Sequence, residues 1–206
     1  MRVFLFSILI FTLIGCAPKM VPVGKSYKPA GKIQAQKIKN KPISFEVSGI
    51  PGWLNGGKGI KPQKDTMLCG AWPLQMKAEP GLTLTVKAML GEVFSTIVKK
   101  ESSNLHFDFK VLEADAVISG GGNEALVGYD SSLVGIAKIV IKLLIVDNEN
   151  NVVFKKIVEG EADSPLNSQS CPPMYNQMGG VMKKAIEEAL STLALSYFNS
   201  EQFHSL

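Results

Sequence analysis

The sequence predicts an α+β two-layer sandwich, with a sheet of about four strands and two helices on one face, in the order β-α-β-β-β-α. Three observations predict it. Apolar residues recur with period two in Ile43–Val47 and Leu105–Val111, Val134–Val146 is a run rich in β-branched residues whose only charges, Lys138 and Lys142, share one strand face, and Val152–Ala162 returns after a turn as its hairpin partner. Apolar residues recur at helical spacing in Leu82–Lys100 and across Met178–Tyr197. A sheet of that size can bury one face only if the helices cover it.

The first strand, Ile43-Ser-Phe-Glu-Val47, stops at Gly49-Ile-Pro-Gly52. A stretch rich in Gly and bracketed by Trp53 and Trp72 follows. It is long for a loop, which marks it as functional or poorly ordered. Aromatic side chains there combine apolar area with a polar handle, so Trp53 and Trp72 are candidate contacts for a partner or ligand, or else caps on the core. Leu82, Val86, Met89, Leu90, Val93, Phe94 and Ile97 form one helical face, with Lys99 and Lys100 suited to the negative end of the helix dipole. In Leu105–Val111 the alternation is clean, then shifts phase to Leu112, Ala114, Ala116 and Ile118, which predicts a bulge near Val111–Leu112. The strand stops at Gly120-Gly-Gly122. Asp147-Asn-Glu-Asn-Asn151 is turn chemistry between two strands and predicts a hairpin. Pro172 and Pro173 open the last helix, where Gly179-Gly180 are expected to fray or kink its start. The first strand–helix–strand connection suits a crossover between parallel strands.

The N-terminus carries a different signal. Arg2 precedes a nearly unbroken apolar run, Val3–Ile14, too short for a stable transmembrane helix and of the length of a signal-peptide core. It ends Leu13-Ile14-Gly15-Cys16, which resembles the bacterial lipobox. That resemblance implies diacylglyceryl transfer to the Cys16 thiol and cleavage before it, and Ala17 after the cysteine favours the outer membrane over the inner. Two or more acyl chains anchor a protein stably, at about 0.8 kcal/mol per buried methylene. The expected organisation is a signal peptide over 1–15, a lipidated N-terminus and basic tether over 16–42, a periplasmic domain over 43–200 and a tail over 201–206. Of the +4 formal charge, +3 remains without Arg2, and seven lysines from Lys19 to Lys41 precede the first acidic residue, Glu46. With Pro22, Pro29, Gly24 and Gly31 among them, Val21–Lys41 reads as a flexible, solvated segment. Nucleic acid is not an expected partner in that compartment.

Two further cysteines, Cys69 and Cys171, form no CxxC and give no metal spacing. Each lies in a Pro-bearing loop, and an oxidising periplasm predicts a disulfide between them, worth about 4–5 kcal/mol by loop closure; two buried free thiols are the alternative. No other constellation points to catalysis. His106 and Asp108 share a strand face but lack further ligands, and read as a solvent-facing polar edge. His204 lies near the C-terminus. Gly120–Gly122 is followed by no Lys-Ser/Thr pair and no helix, so a phosphate loop has no parts. Glu113/Asp115 and Glu159/Glu161 read as strand edges. No metal and no cofactor are expected.

Ala137-Lys-Ile-Val-Ile-Lys-Leu-Leu-Ile-Val146, the Asn-rich turn, Phe154–Glu161 and the helix Lys183–Leu193 together resemble small envelope lipoproteins: the YajG type, the PqiC-type auxiliaries of ABC transporters, and LptE of lipopolysaccharide export. The resemblance implies a non-catalytic helper that binds an envelope protein or a lipid. The expectation is therefore an outer-membrane-anchored accessory or scaffold in envelope assembly or transport. A binding module for lipid, glycan or peptidoglycan is the alternative, and a cryptic hydrolase a third.

Overall fold

The computed structural model describes residues 21–23, 41–57, 74–119, 133–167 and 171–204. Four strands form the main sheet in the order β2-β4-β5-β6: β2 (Ile43–Ser48), β4 (Leu105–Ser119), β5 (Leu133–Asp147) and β6 (Val152–Leu166). β2 and β4 are parallel, and β4-β5-β6 is an antiparallel meander. The register slips between Val111 and Glu113, the bulge that the phase shift in the sequence predicts. Helices α1 (Gly81–Gly91) and α2 (Cys171–Phe198) complete the sandwich, with α2 laid on β5 and β6 and α1 beside α2 and β2.

The close approach of α2 to the sheet is set by small residues. Gly160 of β6 lies under Ala185 and Ala189, where a Cβ would run into the helix backbone, meeting the Ala189 nitrogen at 2.7 Å. Gly135 of β5 leaves room for Met178 and Leu166 in the same way. Either side of this seam Ile139, Ile141, Val181, Met182, Ile186 and Leu190 are buried. Gly179 and Gly180 neither break nor shorten α2. Its burial against two strands outweighs a local propensity cost of about 1 kcal/mol per glycine.

At the end of the sheet where β5 turns into β6, six rings gather. Phe94, Phe107, Phe154, Tyr197, Phe198 and Phe203 pack mostly edge to face, with centroids from 4.9 to 6.2 Å. Phe203 belongs to α3 (Glu201–His204) and is buried, so within the expected tail this ring packs into the core. The turn itself is held by Asp147, whose carboxylate accepts from the Glu149 and Asn151 backbone N–H groups and the Asn151 side chain at 2.8–3.0 Å. Asn150 supplies the positive φ, 65°.

Two other expectations are corrected. The first helix does not run from Leu82 to Lys100. It ends at Gly91, and Val93 and Phe94 remain buried in non-helical chain. Beyond them Thr96 and Val98 exchange backbone hydrogen bonds with Ile43, so Ile97 joins β2 in a parallel bridge. The apolar spacing continued past the helix because the segment stays against the core after its backbone has changed partners. The second correction concerns the expected tether. Val21–Pro22 forms a strand, β1, paired in parallel with β3 (Met76–Lys77), and the Val23 N–H donates to Lys77 at 3.1 Å. Val23 is buried, and β1 touches α2. Residues 21–23 thus belong to the folded body.

Candidate functional site

Both helices cover the same face of the sheet, and no described helix covers the other. Its side chains follow from register. Across β2, β4, β5 and β6 one row reads Glu46–Asp108–Leu144–Lys155 and the next Ser48–Lys110–Lys142–Ile157. Beyond the bulge come Glu113–Val140–Glu159, Asp115–Lys138–Glu161 and Val117–Ile136–Asp163. On β5, in the middle, apolar Leu144, Val140 and Ile136 alternate with Lys142 and Lys138, with mostly charged residues on the flanking strands. Leu112, Ile136 and Ile157 are exposed by 47, 42 and 51 %.

Lys138 sits between two carboxylates that the sequence presented only as strand edges. Its Nζ lies 2.7 Å from Glu159 Oε2 and 3.9 Å from Glu161 Oε1. The hydrogen bond to Glu159 raises the Lys138 pKa and lowers that of Glu159. Partly exposed pairs of this kind contribute little stability. They order the surface chemistry: an acidic ladder neutralised at one central point.

The corner of the face where β2 meets β4 holds the one buried polar chain among the described residues. Ser103 Oγ donates to the Lys100 carbonyl at 2.8 Å, and that carbonyl can only accept. Ser44 Oγ donates to Ser103 Oγ, also at 2.8 Å, which spends its only proton. His106 Nδ1, 2.8 Å from Ser44 Oγ, must then carry the hydrogen of that bond. Burial, followed by the Lys100 ammonium, lowers the His106 pKa, while Glu46 and Asp108 act in the opposite sense. The imidazole is thus neutral near pH 7, protonated at Nδ1. A Ser–His pair is a nucleophile and base only when the imidazole accepts the serine proton. Here the polarity is reversed, so the pair braces β2 against β4 and the turn at Lys100–Ser102. The expectation of a solvent-facing His106 is corrected: alternation placed it on the open face, but this turn covers it, leaving 7 % exposed.

Trp53 is 8 % exposed and packs in the core, so it closes the core and offers little contact surface. Trp72, Cys69 and Cys16 lie outside the described residues, and Cys171 is the first residue of α2. A cavity of about 340 Å³ between β6 and α2 is lined by Ser164, Asn167, Gln177 and Lys184 among others. Gln177 is committed there to the Asn167 N–H at 2.9 Å. No group of three or more His, Cys, Asp or Glu placed to hold a metal occurs among the described residues. Nor is any described helix long and apolar enough to cross a membrane.

No family model and no curated protein matches the chain. Solved structures do. Protein XCC0632 from Xanthomonas campestris superimposes with a TM-score of 0.53 at 11 % identity, over 87 % of this chain and 92 % of that one. The two chains share a fold. A minor lipoprotein from Acinetobacter baumannii is more distant, with a TM-score of 0.43 at 11 % identity over 75 % of this chain and 87 % of its own.

Proposed function

We propose that this protein is a lipid-anchored accessory of the bacterial cell envelope, held at Cys16 in the outer membrane, which binds a protein partner through the open face of its sheet and catalyses nothing. The observation that carries the binding role is the exposure of Ile136 and Ile157, set among charged residues on the face that no described helix covers. Apolar side chains edged by charge suit the core and rim of a docking site. The anchor rests on Leu13-Ile14-Gly15-Cys16. The reversed hydrogen-bond polarity at Ser44–His106 speaks against the hydrolase. Burial of Trp53 removes one aromatic contact from the 53–73 loop, one of the two surfaces on which the lipid, glycan or peptidoglycan alternative rested, the exposed sheet face being the other.

A photo-crosslinking amino acid at Ile136, in cells, tests the reading. One envelope protein captured from position 136 and not from Leu84, exposed on α1, supports it; equal yields from both overturn it. Palmitate labelling lost in Cys16→Ser, with the wild type in the dense outer-membrane fraction, tests the anchor. The same compartment would join Cys69 to Cys171, and two alkylatable thiols in unreduced protein would count against that bond.

A further inference from the structure

We infer that the β1–β3 side of the molecule is moored against the bilayer surface and that the body does not swing on a long tether. The inference rests on lipidation of Cys16, proposed above. Its structural basis is the pairing of Val21–Pro22 with Met76–Lys77 and the burial of Val23. Only Ala17, Pro18, Lys19 and Met20 separate the lipid-bearing residue from β1. Five residue steps reach at most ~18 Å even fully extended. A fifteen-residue strand such as β5 is ~50 Å long. The leash is therefore shorter than the body, and the body cannot turn its β1–β3 side away from the lipid.

Lys77 of β3 is exposed beside β1, and the sequence after Val23 carries Lys25, Lys28, Lys32, Lys37 and Lys39. The surface this side meets is an anionic phospholipid headgroup layer, where clustered lysines are favoured. Helix α1, ~16 Å long for eleven residues, leads from β3 to the Phe94 cluster at the Asp147–Asn151 end of the sheet, and Glu149 in that turn serves as the reference position.

The test is energy transfer from the full-length lipidated protein to an acceptor-labelled phosphatidylethanolamine in phosphatidylethanolamine–phosphatidylglycerol vesicles. The donor is carried on an azide-bearing residue in place of Lys77 or of Glu149. Transfer from position 77 is expected to exceed that from 149 at least twofold. A twenty-residue Gly/Ser insertion after Met20 lengthens the leash to a flexible chain of r.m.s. span ~28 Å and is expected to at least halve transfer from position 77. If β1 were undocked, the leash would already run to Lys41 and the insertion would change transfer little; that result overturns the mooring while leaving the anchor intact. Mass spectrometry of the N-terminal peptide separates the two failures, since an unacylated Cys16 overturns both.

Discussion

The two faces of one sheet are built on opposite rules. The covered face is made of shapes that fit: Gly160 under Ala185 and Ala189, Gly135 beneath Met178, and six rings closing the end. The open face is made of alternating chemistry, Ile136, Val140 and Leu144 interleaved with Lys138 and Lys142 and flanked by mostly charged residues. A change on the first face has no room to relax into, whereas on the second it meets solvent. Stability and recognition are therefore separable along the same strands, a side chain apart.

That separation can be broken by mutation. Phe107→Ala empties a fully buried ring position 5.4 Å from Phe94 and 5.7 Å from Tyr197. It is expected to cost about 3–5 kcal/mol in urea unfolding. Gly160→Ala forces β6 from α2 and is expected to cost about 1–3 kcal/mol by overpacking; unchanged stability would show that the helix does not seat as described. His106 tests the border between the faces. Its folded pKa lies below the unfolded value of about 6.5. The unfolded chain then binds more protons between those two values. Stability should hold above pH ~7 and fall as pH drops through the folded pKa. His106→Gln should remove that part of the pH slope in parallel melts. Smallest of all, Ile136→Ser with Ile157→Ser should shift stability by no more than about 0.5 kcal/mol each while abolishing crosslinking to the partner. A large loss of stability in that pair would mean the open face is covered by something in the folded chain itself.

Much of the sheet was legible because its signal is local. Period two at the start of β4, the β-branched run of β5, the phase slip at Val111–Leu112 and the Asp147–Asn151 turn each lie within a few residues of their cause. What escaped the sequence depends on partners far along the chain. Two residues of β1 carry no periodicity, and only Met76–Lys77 defines them as a strand. Ile97 keeps helical spacing although Ile43 has taken its backbone. His106 was placed on the correct face, but its burial requires Ser44 at the matching position of a parallel strand and Ser103 in the turn above. The open face was legible strand by strand. Its assembly into rows was not, since a single-residue slip in pairing would have scattered them.

β6 has one further consequence. It is fifteen residues long and lies at the outer side of the sheet order, a template on which another chain could polymerise. Along it stand Lys155, Lys156, Glu159, Glu161 and Asp163, all exposed, and Pro165, which has no N–H to offer. This charged, proline-capped border lets copies of the chain crowd without zipping together into fibrils.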